Sequence, residues 1–182
     1  MTVADVPVTP ETMPQPAAAP ADEKQPKGLA IICYSGDLEK TWAAMILAST
    51  AGAMAMPTKV FVTFWGLQTF VRDDVRITGE NWMQKMMSFM QRPGISHRKL
   101  SKMNFLGMGP WMMRKLASQY NVASPKELLE MAAAMGVEFI PCQMTMNMFG
   151  IRREDLIEGM GEPVGAATYL SYVGEDYSPL FI

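Results

Sequence analysis

The chain has 182 residues, 49% of them hydrophobic and 19% charged, with a formal charge of −2. That length supports one packed core and excludes two ordinary domains once a tail is set aside, and a near-neutral charge with Lys and Arg scattered along the chain excludes a nucleic-acid binder. One histidine, His97, and two distant cysteines, Cys33 and Cys142, exclude a zinc site and a disulfide framework.

Residues 1–27 place a proline every few positions among alanines and charges, so neither helix nor strand can propagate, and a flexible tail is expected. They also lack the basic-then-apolar opening of a secretory signal, which together with two unpaired thiols points to a reducing cytoplasm. From Gly28 the character changes. "LAIICYSG" is a short β-branched run ended by a Ser-Gly turn, and Asp37 then stands where a helix N-cap is wanted. The uncharged stretch "WAAMILASTAGAMAM", residues 42–56, is shorter than the roughly 20 residues that span a bilayer, and a helix buried on most faces is expected. After Pro57, "TKVFVTFWG" reads as a second strand closed by Gly66.

Residues 67–121 are less regular. A helix is expected around "NWMQKMMSFMQ", then a break at "RPG" and a basic turn "SHRKLSK". The two glycines of "LGMGP" should not continue a helix, so a glycine-methionine loop precedes a short helix beginning at Pro110. "SPKELLEMAAAMG" carries a full set of helix signals: Ser124 as N-cap, Pro125 first, Glu127 third and Gly136 at the end. "VEFIP" is a strand ending at Cys142, and "MTMNMFG" is a loop or helical turn. "RREDLIEGMG" and "VGAATYLSYVGE" are two further expected helices before the apolar end "PLFI". Strands alternating with helices predict an α/β fold, a mainly parallel sheet with helices on both faces, in residues 28–182.

In such sheets reactive groups gather beyond the carboxyl ends of strands, where both cysteines fall. A cysteine that ends a strand and begins a helical turn faces unpaired N–H groups that favour the thiolate, so Cys142 is a candidate nucleophile. A buried, inert sulfur is the competing reading. Cys33 sits in an apolar run that would raise its pKa, and is the weaker candidate. Met144, Met146 and Met148 add soft sulfur that suits Cu(I), but the chain holds 19 methionines, and only Met144 and Met148 would share a helix face. "YSGDLEKT" lacks the spacing of a phosphate-binding loop, and His97 has no partner readable from sequence. No cofactor or metal is expected.

The segments "KGLAIICYSGDLEKTWAAMILASTAGAMAMPTKVFVTFWGL", "MNFLGMGPWMMRK", "GVEFIPCQMTMNMFGIRREDLIEGM" and "VGAATYLSYV" together resemble the DsrE/DsrF-like sulfur-carrier family, in its peroxiredoxin-like DsrE branch associated with rhodanese and TusA. "CQMTMNMFG" corresponds to that branch's Cys-x-Met-Ser-Met-Asp-x-x-Gly, with Thr145 in place of Ser and Asn147 in place of Asp. The resemblance implies a flavodoxin-like fold, homo-oligomers, and Cys142 as a sulfurtransferase-type carrier holding sulfane sulfur as a persulfide or thiosulfonate. It further implies rhodanese-type donors or small sulfane-sulfur compounds, a TusA-like acceptor, a role in sulfur oxidation and membrane association only through partners. Cys33 is then a second acceptor or resolving thiol, and the methionine-rich residues 103–113 are expected to cover the site. Two other functions stay open: Cu(I) sequestration at Cys142, and a non-catalytic oligomeric partner-binding protein.

Overall fold

The computed structural model describes residues 27–77, 79, 81–90, 92–174 and 176–182; the expected tail lies outside them except for Lys27. The strands are β1 (Gly28–Cys33), β2 (Thr58–Val62), β3 (Glu138–Pro141) and β4 (Tyr177–Phe181). The helices are α1 (Leu38–Ala53), α2 (Phe64–Leu67), α3 (Trp82–Met90), α4 (Met108–Gln119), α5 (Pro125–Ala134), α6 (Gln143–Phe149) and α7 (Ala166–Val173). All four strands are parallel, in the order β3-β2-β1-β4.

The order follows from the handedness of parallel crossovers. β1 to β2 to β3 steps outward in one direction, with α1 and α5 packed together on one face. The chain then returns past β1 to form β4, and a right-handed return in the opposite direction puts its helix, α7, on the other face. Side chains alternate accordingly. Ile31, Cys33, Val60, Val62 and Phe139 join the core under α1 and α5, whereas Ala30, Phe61, Ile140 and Cys142 join Tyr169 and Val173 of α7. β4 contains Pro179, which an edge strand tolerates because one side of it needs no ladder bonds.

Several elements form where their signals lie. Ser124 and Glu127 make a reciprocal capping box at the start of α5, and Gly136 follows its end at φ +82°. Others depart from expectation. α1 is buried on one side only; Ile46, Leu47 and Met54 are 41% to 68% exposed, so its apolar length does not mean burial all round. α4 begins at Met108 rather than Pro110, because left-handed Gly107 turns the chain and Gly109 packs its bare Cα against the Met103 carbonyl. "TKVFV" ends at Val62, and Gly66 is inside α2 rather than closing the strand. "RREDLIEGMG" is no α-helix but one 3-10 turn, Arg153–Asp155. Two long-range bonds decide this, from the Arg72 amide to Asp155 O and from the Ile157 amide to Phe70 O, and within the stretch the Arg153 guanidinium donates to the Met160 and Gly161 carbonyls. The final apolar residues are β4 itself, which the tail-end position had concealed.

Candidate functional site

β3 delivers Cys142 to the carboxyl edge of the sheet. Its amide donates to Val62 O at 2.9 Å, extending the ladder by one residue, and its carbonyl accepts from the Met146 amide at 3.0 Å, opening α6. Cys142 is thus the N-cap residue of α6, with extended backbone at φ −79° and ψ 115°. A parallel bridge to Val164, with Gln143 N donating to Val164 O, holds the outer side of this corner.

Burial raises the Cys142 pKa, but hydrogen bonds from the Thr145 and Thr63 hydroxyls and from the Thr145 and Met144 amides outweigh it and leave the thiol below its ordinary value. The hydroxyls form a relay. Thr63 Oγ1 lies 3.0 Å from Thr145 Oγ1, which also accepts the Phe64 amide at 3.1 Å. Each hydroxyl has one proton, so one of the two bridges the pair and the other is left for the sulfur. Phe64 reaches this position with φ +44°, a left-handed conformation costly for a bulky residue, and the tilted Trp65–Phe149 ring pair holds α2 against α6.

Only 3% of Cys142 is exposed, so a narrow reagent has an advantage over a bulky one. Cys33 is fully buried, and burial pushes its thiol up to about 12. The two cysteines are not brought together. They occupy opposite faces of the sheet, at the ends of strands separated by β2, about 9–10 Å at two strand spacings, beyond the roughly 7 Å limit for a disulfide.

The methionines do not gather around the sulfur either. Met146 is buried in the α1/α5 core, while Met144 and Met148 share the exposed side of α6. Residues 103–113 do not form the expected cover. They are largely exposed and tied to residues 96–100, where Arg114 of α4 donates to Ser96 O, whereas α2 and α3 pack on α6. Asn147 faces outward and accepts from Gln143 at 2.8 Å, so the acid expected at this position would stand on the exposed side of α6 rather than at the thiol. His97 Nδ1 lies 3.1 Å from Pro93 O and 3.5 Å from Asp73.

Sequence reasoning missed Thr63, 82 residues from Thr145, because nothing local announces their pairing. It also read the basic residues as scattered. Residues 81–126 in fact contain eight Lys and Arg and no Asp or Glu, a signal that counting each sign by segment would have found. A third group is Tyr169, stacked on Phe61 at 4.5 Å in the same cluster as Cys142, its hydroxyl buried without a hydrogen-bond partner among the described residues. Replacing it by Phe removes an unsatisfied polar group. Tyr169→Phe is therefore expected to stabilise the fold by up to about 1–3 kcal/mol in denaturant titration; a loss of stability would show that the hydroxyl has a partner in solution.

Among the described residues no three or more His, Cys, Asp and Glu side chains come together as a metal site, and no helix is long and apolar enough to cross a membrane. The sequence matches the DsrE/DsrF/DrsH-like family over residues 25–181. It is 35% identical over 159 residues to "Uncharacterized protein YrkE" of Bacillus subtilis (strain 168), covering 87% of this chain and 99% of that protein. It is 34% identical over 159 residues to "Sulfur carrier protein DsrE2" of Allochromatium vinosum, covering 86% and 98%. A solved structure, of protein MTH1491 from Methanobacterium thermoautotrophicum, aligns with a TM-score of 0.41 at 12% identity over 85% of this chain and 99% of that one.

Proposed function

We propose that this chain, which belongs to the DsrE/DsrF/DrsH-like family, is a sulfur carrier in which Cys142 holds sulfane sulfur covalently. The observation that carries this reading is the donor set on the Cys142 sulfur: a coupled pair of threonine hydroxyls and two amides that outweigh burial and favour the thiolate. The similarity to a relative named as a sulfur carrier supports it.

The chemistry is a thiol exchange. The Cys142 thiolate attacks the sulfane sulfur of thiosulfate, the S–S bond breaks, sulfite leaves with its electron pair, and a cysteine persulfide remains. With tetrathionate the same attack leaves a cysteine thiosulfonate and releases thiosulfate. An incoming thiolate then takes the outer sulfur and regenerates Cys142. We read a TusA-like carrier as that acceptor, a rhodanese-type enzyme as an alternative donor, and a reducing cytoplasm as the setting that keeps both thiols free. Residues 28–182 act as one unit in this reading. Cys33 takes no part in it, since the sheet separates it from Cys142.

Self-association belongs to the same proposal. The exposed side of α1 presents Ile46 and Leu47, with Met54 just beyond its end, and a second copy is the occupant that an uncharged apolar stripe favours. Sedimentation should show an oligomer that Ile46→Glu with Leu47→Glu converts to monomer; a wild-type monomer would reject it.

Intact mass after incubation with thiosulfate, tetrathionate or polysulfide tests the carrier function. A sulfur adduct removed by dithiothreitol is expected. Absence of any adduct, with stoichiometric Cu(I) binding instead, would replace this function by metal sequestration.

A further inference from the structure

We propose that the cavity at the carboxyl end of β1 binds a small dianionic oxoanion, at a site separate from Cys142. The cavity measures about 580 Å³ and lies between the β1–α1 turn and residues 92–101. It stands where the strand order reverses, since β2 flanks one side of β1 and β4 the other, and crevices at that point are where parallel sheets take their ligands.

Its charge is unbalanced. Arg92, Arg98, Lys99 and Lys40 line it against a single acid, Asp37. Asp37 is already engaged: Lys40 Nζ lies 3.0 Å from its carboxylate and Ser35 Oγ donates to it at 2.9 Å. Its side chain makes no capping bond to α1. None of Arg92, Arg98 and Lys99 has a carboxylate within 4.0 Å among the described ion pairs.

Arg98 is the decisive group. Its side chain is only 6% exposed, Nε donates to Gly94 O at 3.0 Å, and Nη2 donates to Arg92 O. Nη1 has no hydrogen-bond partner among the described residues and points at Gly36 of the β1–α1 turn, where an added Cβ would stand 3.0 Å from it. A guanidinium removed from water without a counter-ion costs several kcal/mol, and burial pushes the Arg98 pKa down to about 10 in spite of Asp73 and Asp37. An anion entering the cavity would offset that cost. The planar guanidinium suits the oxygen pairs of a tetrahedral oxoanion, and three unpaired cations suit two negative charges better than one.

Two sources share this chemistry: sulfur oxoanions such as thiosulfate or sulfite, and phosphate, free or esterified. Calorimetric titration of the full chain with thiosulfate, sulfite, phosphate and AMP separates them. We expect saturable one-to-one binding of at least one of the four with Kd below about 1 mM. Tighter thiosulfate or sulfite would assign the site to sulfur oxoanions, and tighter phosphate or AMP to phosphates; either ordering supports the site. Arg98→Met should abolish binding. Because that variant can also disturb the fold, Arg92→Ala combined with Lys99→Ala, both exposed, should weaken binding at least tenfold. Thiosulfate is titrated into Cys142→Ser, which cannot take its sulfur, and for sulfite, phosphate and AMP Cys142→Ser should bind as the wild type does, which keeps this site distinguishable from the sulfur-carrying one. No saturable binding of any of the four up to 10-fold above about 1 mM, or an unchanged Kd in the double variant, would overturn the proposal.

Discussion

Cys142→Ser should take up no sulfur from thiosulfate, tetrathionate or polysulfide, while Cys33→Ser should take up as much as the wild type. The expectation is all-or-none because only one of the two sulfurs is placed to react. A thiol reacts through its thiolate, and Cys33 holds its proton up to about 12 in the dry core beneath α1, with Ser35 O at 3.9 Å as its weak partner. Cys142 instead has donors from three residues that favour its anion. The same measurement separates two mechanisms. If Cys33→Ser lost the adduct while folding normally, a second-thiol mechanism would stand, and the sheet would have to open for the two sulfurs to meet.

Thr145→Val should both slow the thiol and loosen the corner. At pH 7 the alkylation rate of Cys142 by a small reagent should fall about tenfold or more, because losing one donor to a charged acceptor, worth about 1.5–3 kcal/mol, raises the pKa by about one to two units. The sign follows from the direction of the shift: donors lower the pKa, so their loss moves the rate profile to higher pH, and the deficit should shrink as pH rises past the new midpoint. Stability should also drop by about 1–3 kcal/mol, since the Phe64 amide loses its acceptor in a partly buried place. Thr145→Ser keeps the hydroxyl and should restore both properties. An unchanged pH profile in Thr145→Val would show that the hydroxyl does not reach the sulfur.

Much of this corner was readable in "EFIPCQMTMNMFG". A short β-branched and aromatic run, ended by Pro141 and Cys142, predicts a strand terminus, and the observed β3 and α6 meet at that residue. The periodicity rule also separated Met144 and Met148 from Met146 correctly, because on a helix two residues apart point to different sides. The "RREDLIEGMG" stretch shows the limit. Its local pattern suits a helix, yet bonds to Phe70 and Arg72, more than 80 positions earlier in the chain, hold it in a turn. The β1–α1 turn failed in a related way: "YSGDLEKT" lacks a phosphate-loop spacing, and the cations that face it come from residues 92–99, which no reading of the turn alone could supply.

By itself the sequence determined the alternation of strands and helices, the family resemblance and the placement of Cys142 at a strand end, because these depend on periodicity and turn chemistry within a few residues. Only the tertiary structure decided which neighbours the sulfur has. Strand order put β2 between the two cysteines, the pleat sent them to opposite faces, and the fold brought Thr63 to Thr145 across 82 residues. The ionisation of a thiol depends on donors within hydrogen-bond reach, and that distance is set by packing rather than by position along the chain.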